Sequence, residues 1–210
     1  MTFEIWLAYV AASTALLLIP GPTVLMVLSY ALSKGRSVAV SCAAGVALGD
    51  FVAITASLLG LGALVMASAT LFTVLKWAGA IYLIWLGVRL IRSAPSQGFA
   101  LPKGAEISSR GVFWNATAVT ALNPKSIAFF VAFVPQFLTL NAPLGPQFAI
   151  LIATFVTLAA LNALIFALLA DRLRHTIGRP SVITWLTRGG GTALIAMGIA
   201  TAFLRRAANP

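Results

Sequence analysis

The sequence predicts an all-α integral membrane protein, with six transmembrane helices built as two inverted three-helix repeats. Three observations predict it: the composition, six long apolar runs, and prolines that interrupt the first and fourth runs. Hydrophobic residues make up 60% of the 210 residues and charged residues only 9%, and the mean hydropathy is +1.01. A water-exposed surface needs about a quarter charged residues. Most of the chain must therefore lie in lipid.

Each apolar run approaches the roughly 20 residues that a membrane-spanning helix needs. The runs cover residues 5–30, 38–64, 72–91, 112–136, 147–170 and 189–204. The chain thus forms a single transmembrane domain, with a first repeat at 1–91, a polar linker at 92–111 and a second repeat at 112–204. The N-terminal run has no preceding basic residue and continues too far for a signal peptide, so we expect a retained first helix.

Basic residues are concentrated on one side of the predicted spans, and this asymmetry predicts the orientation. That side has Lys34, Arg36, Arg89, Arg92, Lys103, Arg110, Arg172, Arg174, Arg179 and Arg188, and the other has Lys76, Arg205 and Arg206. The loops of the first group are therefore expected in the cytoplasm and both termini in the periplasm. The six-span arrangement places Arg205 and Arg206 in the periplasm, against the general bias of basic residues toward the cytoplasm. An arrangement with five spans is therefore an alternative.

Four tryptophans fall near predicted span ends, where an aromatic belt would lie. They are Trp6, Trp77, Trp114 and Trp185. Trp85 lies deeper in the third span, and we expect it to pack inside the bundle.

The first and fourth spans are interrupted at corresponding places. Pro20-Gly21-Pro22-Thr23 lies near the centre of the first span, and Asn123-Pro124-Lys125-Ser126 near the centre of the fourth. Proline in a helix interior lacks an N–H donor and displaces the carbonyl four residues back. The carbonyls of Leu16, Leu18 and Thr120 should therefore be free. In hydrocarbon each costs several kcal/mol unless it finds a partner.

Inverted repeats place their binding sites where such broken helices meet. We therefore expect both interruptions to face a polar cavity and to bind a polar solute. A pair of packing kinks is the plainer alternative, since proline is common in transmembrane helices.

Two charged residues lie near the middle of predicted spans, Asp50 in the second and Lys125 in the fourth. A charge at the bilayer centre costs at least about 2.5–3.5 kcal/mol, so such residues usually face the interior and have a function. Pairing across the bundle is the economical arrangement. Either group acts as a proton carrier or substrate contact, or the pair is a static salt bridge. The nearest polar counterpart of Asp50 in the second repeat is Asn162.

Small residues recur every four positions along one face of the second span: Ser41, Gly45, Gly49, Ala53 and Ser57. Such a seam predicts close approach of another helix. Gly79 and Gly87 can play the same part in the third span. The seam can pack helices within one subunit or between two subunits, so the sequence is compatible with a homodimer. The run Gly189–Gly191 opens the predicted sixth span as a hinge or a loose start.

Several other classes of protein fit the sequence poorly. The basic residues are scattered between apolar runs rather than clustered on one exposed element, which argues against nucleic-acid binding. Cys42 is the only cysteine, Asp50 is the only acid at mid-span, and His175 is the only histidine. A metal site needs several ligands in one place, and a nucleophilic enzyme needs a base beside its nucleophile. We therefore predict no metal, no cofactor and no enzymatic activity.

The chain has an ordered set of motifs: Pro20-Gly21-Pro22, Gly35-Arg36, Gly45-x-x-x-Gly49-Asp50, Lys76-Trp77-Ala78-Gly79-Ala80-x-Tyr82-Leu83-x-Trp85-Leu86-Gly87, Asn123-Pro124-Lys125, Phe129-Phe130 and Pro135-Gln136-Phe137. With these motifs the chain resembles the lysine exporter (LysE) superfamily, in particular its RhtB-type amino-acid exporter branch. The resemblance implies six spans, the bacterial inner membrane and efflux of amino acids or close relatives by proton exchange. Thr23 departs from the pattern, because relatives often carry Asn or Asp there.

The sequence therefore predicts a secondary active exporter of a small amino acid. It has no GxxxxGK[ST] motif, so an ion gradient must drive transport. Asp50 and Lys125 are the expected ion-coupling residues, with the two interruptions and Asn162 binding substrate. Efflux of a cation or another small metabolite is the alternative within transport, and an intramembrane enzyme is the alternative from another class.

Overall fold

The computed structural model describes residues 1–19, 21–34, 36–67, 69–92, 108–139, 142–170 and 180–203. Within these ranges the regular elements are helical and there is no strand. The helices are α1 (Phe3–Leu18), α2 (Pro22–Lys34), α3 (Arg36–Ala67), α4 (Ala69–Arg92), α5 (Ser109–Ala121), α6 (Pro124–Ala128), α7 (Leu144–Leu168) and α8 (Pro180–Phe203). A π-helical turn (Phe129–Phe133) and a 3-10 turn (Val134–Phe137) follow α6.

Four helical segments are long and apolar enough to cross a membrane. They are Val38–Ala63, Thr73–Arg92, Ser109–Phe137 and Leu144–Leu168. The pair α1 and α2, bent by 60° at the break between them, counts as a fifth. The chain is thus an all-helical membrane protein. Helix α8 is not among these segments, since its first half carries Arg188 and three consecutive glycines, so the sixth span stays a prediction.

Both predicted interruptions are present, but the prolines act differently from our expectation. Helix α1 ends at Leu18 and α2 begins at Pro22, and α5 ends at Ala121 before α6 begins at Pro124. Neither proline lies in a helix interior. Each occupies the first position of a new helix, where its missing N–H needs no partner and its fixed φ suits the helix. Pro20 lies outside the described residues.

Close helix contacts depend on glycine. A side-chain carbon added at Gly49 would lie 2.6 Å from the carbonyl oxygen of Thr117, so the small-residue seam of α3 packs tightly on α5, as the spacing predicted. On α4, an added carbon at Gly79 would meet Ala132, and one at Gly87 would lie 2.5 Å from the carbonyl oxygen of Gly191.

The glycine run of α8 is a packing surface rather than a loose start. Helix α8 begins at Pro180, so Gly189–Gly191 lies in its interior. Gly190 packs against Ile19, and Gly191 packs against Gly87 and Ile91 of α4. The expectation that these glycines open the sixth helix is therefore wrong: α8 begins earlier, and Gly190 and Gly191 lie where it crosses its neighbours.

The buried side chains form two main clusters. The larger joins α1, the second half of α3, the π-helical turn and α7, and its centre includes the edge-to-face pair Phe130 and Phe155, with ring centroids 4.7 Å apart. The second joins α2, the first half of α3, α5 and the last turns of α7. The residues that line the candidate site come from both clusters.

Candidate functional site

The two helix breaks face one another across a cavity of about 30 Å³. Its lining includes Gly21 and the polar residues Thr23, Asp50, Asn123, Lys125, Ser126 and Asn162. These are seven of the residues predicted as site residues from the sequence. The other two described ones, Pro22 and Pro124, are exposed and do not line the cavity. Their part is to begin the half-helices that carry the polar groups.

Lys125 closes the end of α1. Its ammonium Nζ donates to the carbonyl oxygens of Leu16 and Ile19, both at 3.0 Å. Because α1 stops at Leu18, neither carbonyl has the N–H partner that a continuing helix would supply, and Leu16 accepts only the N–H of the cap residue Ile19, at 3.2 Å. Both carbonyls lie at the negative end of the helix dipole. A cation is therefore stabilised there twice, by hydrogen bonds and by the dipole. Gly21 lies beside the ammonium, since an added side-chain carbon would make an ordinary contact with Nζ at 3.5 Å.

A second side chain satisfies the same helix end from α7. Asn162 Nδ2 donates to the carbonyl oxygen of Leu17 at 3.3 Å. Side-chain donors at the first break thus reach the carbonyls of Leu16, Leu17 and Ile19. The Leu16 carbonyl, predicted to be free, also accepts the backbone N–H of Ile19 at 3.2 Å, and side-chain donors reach Leu17 and Ile19 rather than the predicted Leu18. A helix end exposes its last several carbonyls, not only those opposite a proline.

The second break is organised by Asn123. Its side-chain Oδ1 accepts from the backbone N–H of Lys125 at 3.1 Å, which caps α6 at its start. Its Nδ2 donates to Thr23 Oγ1 at 3.3 Å across the cavity. Thr23 Oγ1 also lies 3.5 Å from Thr120 Oγ1. The Thr120 carbonyl, predicted to be free, accepts locally from the N–H of Asn123.

Asp50 lies in the cavity wall with only 2% of its surface exposed. Its Oδ1 has no hydrogen-bond partner, and within the described ranges no ion pair of 4.0 Å or less joins it to Lys125. Both side chains line the same cavity. The predicted contact pair is therefore wrong. Lys125 instead turns to the end of α1, where carbonyls without helical partners offer it closer acceptors.

The apolar part of the cavity wall escaped sequence reasoning. Val24 and Val27 of α2, Val46 of α3 and Phe166 of α7 line it opposite the polar groups. These side chains are ordinary for a transmembrane helix, so no local pattern distinguishes them from lipid-facing positions. The Thr120 hydroxyl group, which contacts Thr23, was also not predicted, although its backbone carbonyl was considered.

Comparison with known proteins gives the family. Residues 14–205 match the family described as LysE type translocator. The chain belongs to the LysE family. This confirms the resemblance deduced from the motifs, and it makes the protein a membrane transporter rather than an enzyme.

Three relatives illustrate the similarity of this LysE protein to other members. It is 36% identical over 208 residues to the homoserine/homoserine lactone efflux protein of Salmonella typhimurium, covering 99% of this chain and 100% of the relative. It is 34% identical over 200 residues to an uncharacterized membrane protein of Vibrio cholerae, covering 95% and 97%. The leucine efflux protein of Klebsiella pneumoniae is 31% identical over 150 residues, or 71% of each chain. No solved structure matches the chain.

Proposed function

We propose that this protein is a secondary active exporter of a small amino acid or close derivative across the bacterial inner membrane, coupled to protons. The observation that carries the proposal is the meeting of two helix breaks around a cavity that contains one ammonium, one carboxyl group and several backbone ends. The full-length similarity to a homoserine/homoserine lactone efflux protein and the partial similarity to a leucine efflux protein support it.

The cavity is chemically complementary to an amino acid. The substrate carboxylate suits Lys125 and the backbone N–H groups at the start of α2, because helix N-termini stabilise anions. The substrate amine suits Asp50, whose Oδ1 has no other partner, and the free carbonyls at the end of α1. The apolar wall around Val27 and Phe166 accommodates the substrate side chain. Broken helices bind zwitterionic substrates in this way in other transporter folds.

Substrate binding requires the half-helices to separate. A cavity of about 30 Å³ has room for water but not for an amino acid. Lys125 holds the breaks together by its bonds to Leu16 and Ile19. A substrate carboxylate competes with these carbonyls for the ammonium. Binding therefore weakens the link between α1 and α6, which joins occupancy of the site to the movement that opens it.

Asp50 supplies the proton coupling in this proposal. As a carboxylate it attracts the substrate amine on the cytoplasmic side. On the periplasmic side it takes up a proton, loses its negative charge and releases the amine. The protonated form then returns to the inward-facing state and gives its proton to the cytoplasm. Each amino acid exported is exchanged for one proton that enters.

We also propose the six-span, inverted-repeat architecture, with both termini in the periplasm. The pattern of helix contacts supports it. In the inverted-repeat architecture, the pair α1–α2 corresponds to α5–α6, α3 corresponds to α7, and α4 corresponds to α8. A two-fold axis in the membrane plane then maps the contact between α3 and α5 onto the contact of α7 with α1 and α2. It maps the α3–α7 and α4–α8 contacts onto themselves, and all of these contacts are present. Whether the protein works as a homodimer is a separate question for cross-linking.

Transport in proteoliposomes tests the proposal. Vesicles are loaded with a panel of labelled amino acids, a proton gradient is imposed, and efflux is measured for the wild type and for Asp50→Asn. We expect at least one small neutral amino acid to leave faster when the opposite side is acidified. If none of the panel moves, the amino-acid substrate is wrong. If efflux occurs without any response to the gradient, proton coupling is wrong and the substrate assignment survives.

A further inference from the structure

One face of α4 is not covered by the rest of the bundle. The apolar side chains of Val74, Trp77, Ile81 and Trp85 are 59%, 48%, 63% and 50% exposed, and they follow one another at helical spacing. Trp85 is thus half exposed, contrary to our expectation that it packs inside. The stripe runs along the segment Thr73–Arg92, which is long and apolar enough to span the membrane.

The same stripe ends in two arginines. Arg89 and Arg92 are exposed in the last turn of α4. Together with Trp85 and Val88 they line a surface depression of about 330 Å³. The Arg89 guanidinium lies 5.3 Å from the centre of the Trp85 ring, so a cation–π contact holds it against the stripe. Within one turn of the end of a span, these groups lie where lipid phosphates are found.

Helix α8 brings another arginine to the same level. Gly191 packs on Gly87 and Ile91, and Gly198 packs on Ala80 and Ile84, so α4 and α8 run antiparallel. Arg188, exposed and one turn before Gly191, therefore lies at the level of the last turn of α4. The basic end of the stripe thus belongs to the helix pair and not to one helix alone.

The chain has few acids with which to neutralise this end. It has four acidic residues, of which Glu4 lies in the first turn of α1 and Asp50 in the cavity. Only two remain, against ten basic residues that the sequence places on this side. Within the described ranges neither Arg89 nor Arg92 forms an ion pair. In the part of the chain that the structure describes, both guanidinium groups are exposed and can pair with an anion from the lipid.

We propose that the α4 stripe is a binding site for an anionic phospholipid. Its phosphate lies between Arg89 and Arg92, and its acyl chains lie along Trp85, Ile81 and Trp77. An apolar stripe with a basic end matches the length and the charge distribution of such a lipid. Arginine binds phosphate oxygens through its forked N–H donors. The proposal is independent of the transported substrate.

A second copy of the chain fits this face less well. In a two-fold dimer across α4 the axis would run along the membrane normal, and it would bring the arginines of both copies to the same end. Four guanidinium groups would then face one another, and none of the described residues places an acid between them. The charge on the stripe therefore favours a lipid over a protein partner.

Native mass spectrometry of the full-length protein in detergent tests the proposal. Phosphatidylglycerol and phosphatidylcholine with identical acyl chains are added in turn to the wild type, to the double variant Arg89→Gln/Arg92→Gln and to Arg110→Gln. Arg110 is an exposed arginine in the first turn of α5, on the same predicted side, so it controls for general charge. We expect selective retention of phosphatidylglycerol by the wild type and Arg110→Gln. Two arginines near an anionic surface account for about thirtyfold in affinity, which the double variant should lose.

Fluorescence supplies a readout that does not depend on the double variant. Phosphatidylglycerol brominated on its acyl chains should quench the tryptophan fluorescence of the wild type more strongly than phosphatidylcholine brominated in the same way. This difference in quenching between the two lipids should be smaller in Trp85→Phe. Equal retention of both lipids by the wild type would overturn the proposal. So would an equal loss of selectivity in Arg110→Gln, full competition by inorganic phosphate without acyl chains, or a dimer cross-linked through α4.

Discussion

The ammonium group of Lys125 lies 3.0 Å from the carbonyl oxygen of Leu16. Lys125 belongs to the first turn after the break between α5 and α6, and Leu16 to the last turn before the break between α1 and α2. A side chain of the second interruption thus satisfies backbone carbonyls that the first one exposes. This relationship explains how the chain tolerates two broken helices inside a membrane, where unpaired carbonyls are expensive.

Replacing Lys125 should damage both stability and transport. In Lys125→Met the carbonyls of Leu16 and Ile19 lose their charged donor, and Asp50 loses the nearby positive charge. Hydrogen bonds to charged groups contribute about 1.5–3 kcal/mol each, so we expect a clearly lower unfolding temperature in detergent. We expect efflux in proteoliposomes to fall at least about 100-fold, since a loss of about 3 kcal/mol of substrate interaction corresponds to that factor.

The matched control is Lys103→Met, which removes a lysine from the polar linker. It should leave both the unfolding temperature and the efflux rate near wild-type values. If Lys125→Met transports normally once folded, the ammonium is a structural cap and does not bind substrate.

Asp50→Asn should separate binding from coupling. The amide keeps the shape of the carboxyl group but cannot carry a proton, so the pH gradient no longer drives the cycle. Wild-type efflux should rise as the pH on the receiving side falls, because protonation of Asp50 there releases the substrate amine. The variant should show a flat dependence on that pH and residual exchange of labelled substrate at equal concentrations. A variant with the wild-type pH dependence would assign Asp50 a purely structural part.

Much of the fold was predictable because its signals are local in the sequence. Length and hydropathy predict spanning helices, and the small-residue spacing around Gly49 predicts a tight helix contact. Prolines in corresponding runs predict two breaks. Each of these depends on neighbouring residues along the chain, not on how helices rotate against one another.

The unpredicted features depend on rotation and on three-dimensional proximity. Charge alone suggested that Lys125 contacts Asp50, but the carbonyls at the end of α1 lie closer to its ammonium. Trp85 was expected inside, because a helix that is apolar on every face gives no signal of which face is buried. The start of α8 was placed too late, because the basic and glycine-rich stretch around Arg188 reads as a loop.

The contact between α3 and α5 should be sensitive to a single methyl group. Gly49→Ala places a carbon 2.6 Å from the Thr117 carbonyl oxygen and 2.7 Å from Thr120 Cβ, so α5 must shift. Overpacking of this kind costs about 1–3 kcal/mol. Because α5 ends at the second break, we expect lower transport as well as a lower unfolding temperature.

Gly60→Ala is the control on the same helix. Apart from the backbone of its own helix and its neighbours in the chain, no heavy atom lies within 4 Å of an added carbon there. Alanine favours a helix over glycine by up to about 1 kcal/mol, so this variant should be as stable as the wild type or slightly more stable. Equal losses of unfolding temperature and transport in Gly49→Ala and Gly60→Ala would show that the small-residue seam does not determine the packing of α3 on α5.

Two substitutions at Asn123 should distinguish its capping role from its contact with Thr23. Asn123→Ala removes the acceptor for the Lys125 N–H and the donor to Thr23, so it should lose about 1 kcal/mol of stability and raise the KM for efflux. Asn123→Ser keeps a capping oxygen but offers no group long enough to span the cavity. We expect it to unfold near the wild-type temperature and still to raise KM.

Asn115→Ala, which removes a bond to Tyr30 away from the cavity lining, should leave KM unchanged. If Asn123→Ser matches the wild type in both measurements, the link between the two breaks through Thr23 contributes nothing to substrate binding, and Asn123 acts only as the cap of α6.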